Sequence, residues 1–146
     1  MGDTITTRWW KVLGLGFLIW LLPYFEAKAL FFMEISNEAL FRSTIILTGA
    51  LIAGIAIAIY LPGTYSDYRV EGWVTALIWV VMCLGLDVLV GFTIEHSTFE
   101  LVPYLLKTGW SYLYLPIVCV PAGYLARNVE QVNQPPPVKP PEFRIR

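Results

Sequence analysis

The chain has 146 residues, 57% of them hydrophobic and 14% charged, with a formal net charge of −1. Soluble domains carry roughly 25% charged residues, and a water-soluble domain of this length cannot hide so much apolar surface. A soluble globular domain is therefore excluded, and the near-zero charge offers no field for nucleic acid.

The apolar residues fall in long blocks instead of alternating with polar ones, which is the pattern of membrane spans. The sequence predicts an all-α protein, a four-transmembrane-helix bundle with short loops over residues 1–126. Helices are expected at about 9–32, 43–61, 70–94 and 105–126, followed by a proline-rich, disordered or extended tail over 127–146.

The first block is about 36 Å long as a helix. That exceeds a ~30 Å hydrocarbon core, so it must tilt, bend or end early, and Pro23 offers the bend. Arg8, Lys11 and LGLGFLIWLLPYF before Ala27-Lys28-Ala29 also resemble a signal peptide with a small-x-small cleavage site. Against cleavage, the apolar run resumes at once with LFFM, and Trp20, Tyr24 and Phe25 crowd the site. The opening Met-Gly-Asp-Thr-Ile-Thr fits a loose myristoylation pattern, from which a spanning protein gains little.

The second block ends at Pro62-Gly63. Its small residues Gly49, Ala53, Gly54 and Ala58 recur four apart, as do Cys83 and Gly91 on either side of Asp87 in the third block. Such faces let helices approach closely, within one chain or between copies. Cys83 and Cys119 have no CxxC spacing and read as small buried residues.

Asp87 stands alone among leucines and valines. A carboxylate at mid-membrane costs about 2.5–3.5 kcal/mol on insertion scales and usually faces the bundle interior with a partner. Counted from Trp73, Asp87 lies about 21 Å along its helix; counted from Trp10, Glu26 and Lys28 lie about 24 and 27 Å along theirs. A Lys28–Asp87 pair, joined by Glu26 or Arg42, is the geometric expectation. A hydrogen bond to Tyr or Ser of another helix, an ion- or proton-binding carboxylate, and contact with another subunit stay open beside it.

With the amino terminus inside, the cytoplasmic segments hold Arg8, Lys11, Arg69, Arg127, Lys139, Arg144 and Arg146, against Lys28, Arg42 and Lys107 outside. The positive-inside rule then places both termini in the cytoplasm. Trp9, Trp10, Trp73 and Trp110 suit interfacial anchoring. In the tail, Pro135, Pro136, Pro137, Pro140 and Pro141 favour polyproline II and suit either an unstructured end or an arm docked on a partner. His96 and Glu100 are four apart, but one histidine makes a poor metal site, and no phosphate loop, nucleophile elbow or HExxH is present. Neither a metal nor a cofactor is expected.

Trp10-Lys11-Val12-Leu13 with Gly16-Phe17, Trp20-Leu21 and Pro23, then Glu71-Gly72, Trp79 and Asp87, then Tyr114-Leu115-Pro116-Ile117 together resemble a family of small four-helix membrane proteins of archaea and bacteria. The resemblance covers roughly residues 10–126 and implies topology, with no assigned activity, in a prokaryotic cell membrane. Glu26 and Lys28 depart from it, since an uncharged stretch is usual there.

The functional expectation is a non-catalytic integral membrane protein, a scaffold or accessory subunit whose partners are the lipid bilayer and other proteins of a complex, or further copies of itself. The alternative is a small homo-oligomeric proton- or cation-coupled transporter using Asp87. It resembles the small multidrug resistance type, although those proteins carry their key Glu in the first span.

Overall fold

The computed structural model describes residues 5–33, 37–63, 67–94 and 100–133, and among these there is no strand. Five helices follow in order: α1 (Ile5–Phe32), α2 (Glu38–Tyr60), α3 (Tyr68–Ile94), α4 (Leu101–Thr108) and α5 (Tyr114–Asn133). Short 3₁₀ segments follow α2 at Leu61–Gly63 and α4 at Gly109–Leu113.

Local chemistry sets the helix ends. The Asn37 side chain accepts from the Leu40 N–H at 3.1 Å, so α2 begins five residues before its expected start. Asp67 caps α3 likewise, accepting from the Arg69 N–H at 3.0 Å. Pro62 and Gly63 end α2 in a 3₁₀ turn.

Three helices, over Arg8–Phe32, Glu38–Tyr60 and Tyr68–Thr93, are long and apolar enough to cross a membrane. The fourth expected helix, 105–126, is not continuous. It divides into α4, the Gly109–Leu113 segment and α5, which runs on to Asn133. Gly109 weakens the helix at the break. Pro116 sits in the first turn of α5, where its missing N–H costs nothing, and Pro121 lies inside the helix. The tail prolines 135–141 lie outside the described residues.

Paired contacts give the helix directions. Arg8 with Glu71, Val12 with Trp79 and Trp20 with Asp87 make α1 and α3 parallel. Glu26 with Thr48 and Arg8 with Tyr60 make α1 and α2 antiparallel. Between α3 and α5 the backbones nearly touch: a Cβ on Gly72 would stand 2.8 Å from the Cys119 carbonyl oxygen, and one on Gly123 would collide with that of Tyr68. Glycine is required at this crossing because no side chain fits.

On α2, Gly49 and Ala53 face inward, and a Cβ on Gly49 would lie 2.7 Å from the Tyr114 hydroxyl. The expected small-residue packing does not extend to Ala58, which is exposed, and Gly54 is only half-buried. The helix turns that side outward with Leu47, Leu51, Ile55 and Ile59, an apolar stripe each 62–63% exposed. Side chains four apart form one ridge, so choosing the Gly49 ridge for the interior commits this one to lipid. Cys83 and Cys119 are buried, free thiols, and Gly91 is buried. Trp9, Trp10, Trp73 and Trp110 are exposed.

The α3–α5 crossing generates a test. Gly123→Ala should lower stability by about 1–3 kcal/mol through overpacking. Gly85→Ala, where nothing lies within 4 Å of the new Cβ, should be neutral or stabilising by up to about 1 kcal/mol. Unfolding of the two variants in mixed micelles reads the difference.

Candidate functional site

Three elements converge on Asp87. The Trp20 indole N–H of α1 donates to Oδ1 at 2.7 Å. The Tyr104 hydroxyl of α4 and the Tyr112 hydroxyl of the 3₁₀ segment both donate to Oδ2. Both oxygens of the side chain thus act as acceptors, each toward a donor from another element. Tyr104 comes from before the helical break and Tyr112 from within it, so the break at Gly109–Leu113 brings Tyr112 round to the same oxygen as Tyr104.

The expected Lys28–Asp87 pair is not formed. Lys28 is exposed, with its Nζ 5.6 Å from the centroid of the Tyr24 ring. Tyr24 in turn stacks on Trp20 with centroids 5.1 Å apart. Glu26 accepts from the Thr48 hydroxyl at 2.9 Å, and its other oxygen is buried with no hydrogen-bond partner among the described residues. Arg42 pairs with Glu38 one turn earlier at 2.7 Å. The reason is register. The Arg8–Glu71 contact aligns α1 with α3, and sixteen residues further along each helix come Tyr24 and Asp87. Lys28 therefore lies one turn, about 5.4 Å, past the carboxylate, while the Trp20 indole, one turn short of it, makes up the difference.

A cavity of about 470 Å³ opens beside the carboxylate. Trp20, Tyr24, Phe41, Tyr112 and Tyr114 supply aromatic walls, Ile45 and Ile46 of α2 supply apolar ones, and Glu38 and Arg42 also line it.

The second polar cluster occupies the other end of α3. Glu71 is 4% exposed. It pairs with Arg8 and accepts from the Tyr60 hydroxyl at 2.8 Å, while Arg8 Nε donates to the same hydroxyl at 3.0 Å. A smaller cavity of about 130 Å³ adjoins it, and the buried Thr75 hydroxyl lining that space has no hydrogen-bond partner among the described residues. Between the clusters, the fully buried Trp79 donates its N–H to the Val12 carbonyl at 2.8 Å.

Composition and depth counting missed Arg8, Tyr60 and Glu71, as well as the donors Trp20, Tyr104 and Tyr112. One signal was present: Glu71, Trp79 and Asp87 are spaced eight apart, and Thr75 and Cys83 fill the same four-residue series. A repeated step of four traces one ridge of a helix, so a polar or aromatic group recurring along it marks the face turned to protein. His96 and the tail prolines lie outside the described residues, and the Lys107 side chain is likewise not described.

The three donors set the cost of removing the carboxylate. Asp87→Leu leaves three buried or half-buried donors without an acceptor, each costing about 1–3 kcal/mol. Asp87→Asn retains a side-chain oxygen and should cost clearly less. Thermal unfolding of both variants in detergent checks the order, which fails if the two are equal. Of the family models, curated proteins and solved structures compared with the chain, none matches.

Proposed function

We propose that the chain is a non-catalytic integral membrane protein, acting as a scaffold or accessory subunit of a larger membrane complex. The observation that carries this reading is the use of its intramembrane polar groups. The bonds at Asp87, at Glu71 and at Trp79 each tie one helix to another, and the Glu26–Thr48 bond ties α1 to α2. Polar side chains spent on holding helices together support a rigid part with broad apolar faces, such as the Leu47–Ile59 stripe, left for lipid or neighbouring chains.

The finer topology belongs to the same proposal: four crossings, with both termini in the cytoplasm. The fourth would combine the Gly109–Leu113 segment with the apolar part of α5, Tyr114 to Ala126. At about 2.0 Å per residue for the first and about 1.5 Å for the second, these span roughly 10 and 20 Å, together close to a ~30 Å hydrocarbon core. The basic residues Arg8, Lys11, Arg69 and Arg127 would then share the cytoplasmic side.

A second reading, a small proton- or cation-coupled transporter, is favoured by one observation: the cavity gives access to Asp87. Gentle solubilisation separates the two. An accessory subunit should co-purify with other polypeptides at fixed stoichiometry, and Asp87→Asn should reduce that assembly. Isolation as a homodimer alone, with pH-dependent uptake in proteoliposomes that Asp87→Asn abolishes, would refute the scaffold reading.

A further inference from the structure

We propose that the cavity beside Asp87 is a binding site for an organic monocation, an amine or quaternary onium group carrying apolar substituents. The proposal concerns binding alone and goes beyond the scaffold reading, holding whether or not the occupant is moved across a membrane.

Charge is the first argument. The hydrogen bonds from Trp20, Tyr104 and Tyr112 come from neutral groups, so they stabilise the carboxylate without neutralising it. Among the described side chains lining the cavity, the other charges are Glu38 and Arg42, which pair with each other at 2.7 Å. The described lining therefore carries a formal charge of −1, located at Asp87. In a poorly solvated cavity that charge attracts a cation far more strongly than it would in water. A neutral occupant would leave it uncompensated, and an anion would be repelled.

The walls are the second argument. Trp20, Tyr24, Phe41 and Tyr114 line the space, and aromatic rings attract cations through their quadrupoles. One cation, the Lys28 ammonium, already lies 5.6 Å from the centroid of the Tyr24 ring. Ile45 and Ile46 add surface for an apolar substituent. A bare divalent ion is a poor fit, because no group of three or more His, Cys, Asp or Glu side chains gathers among the described residues. At about 470 Å³ the cavity falls in the range of pockets that hold drug-sized molecules. One acceptor position of the carboxylate also remains, since it offers about four lone-pair sites and three are taken.

The test uses tetraphenylphosphonium and its anionic counterpart of the same shape, tetraphenylborate, in equilibrium dialysis against the full chain in nonionic detergent. The cation should bind saturably, one per chain, and the borate should not. Asp87→Asn should weaken cation binding about tenfold or more by removing the charge. Ile46→Trp, which fills the cavity and touches none of the bonds to Asp87, should weaken it as much while circular dichroism shows helix content unchanged. Equal uptake of the borate, or a smaller loss in either folded variant, overturns the proposal. If Asp87→Asn does not fold, Ile46→Trp and the comparison of the two ions decide it. Displacement of the probe by added phosphatidylethanolamine, but not by phosphatidylglycerol, would support the site by identifying a lipid ammonium as its occupant; probe held equally against both lipids supports a soluble amine.

Discussion

A carboxylate surrounded by leucine and valine has to find its hydrogen bonds inside the protein, and Asp87 finds them on Trp20, Tyr104 and Tyr112. Placing the charge in a membrane costs about 2.5–3.5 kcal/mol on insertion scales, and hydrogen bonds to a charged group contribute about 1.5–3 kcal/mol each. Three such bonds can offset the cost, but only if α1, α3, α4 and the 3₁₀ segment all hold their places. The charge thus acts as a condition on the whole end of the bundle. Elements that separate would leave an unpaired carboxylate and three unpaired donors in apolar surroundings.

The rest of α3 follows the same ridge. Glu71 engages Arg8 and Tyr60, Trp79 reaches the Val12 carbonyl, and Asp87 closes the far end. These ties register α1 against α3 at three levels. Behind them, the Gly72–Gly123 crossing brings α5 so near that backbone meets backbone. Close approach there fixes where the chain passes from the 3₁₀ segment into α5, and so where Tyr112 can stand. Packing at one end of the pair positions a hydrogen-bond donor at the other.

Aromatic residues do two jobs in this arrangement. Trp9, Trp10, Trp73 and Trp110 face outward, as anchors at a polar–apolar boundary would. Trp20, Trp79, Tyr104 and Tyr112 turn inward and give their N–H or O–H groups to acceptors of other elements. An indole or phenol can be buried at low cost only where its polar handle finds such an acceptor. The cavity lies between the rings that meet at Asp87 and the α2 residues Phe41, Ile45 and Ile46.

Long apolar blocks by themselves determined that the chain is helical and contains segments of membrane-crossing length, since a backbone in lipid has to satisfy its own hydrogen bonds. They also marked Asp87 as a residue needing a partner, and Gly49, Ala53, Gly54 and Ala58 as small-residue faces for close packing, of which the structure buries only Gly49 and Ala53. Only the tertiary structure decided which partner. Depth counted along separate helices carries no information on rotation about their axes or on axial offset; with Tyr24 level with Asp87, Lys28 lies one turn past the carboxylate and Trp20, one turn short, reaches it. Nor could hydropathy locate the break at Gly109–Leu113, because a window average depends on composition alone and is the same for a 3₁₀ segment as for an α-helix, although the two aim their side chains differently. Glu71 lay on a legible four-residue series with Trp79 and Asp87, but its partners Tyr60 and Arg8 look like ordinary boundary residues until the helices are set side by side.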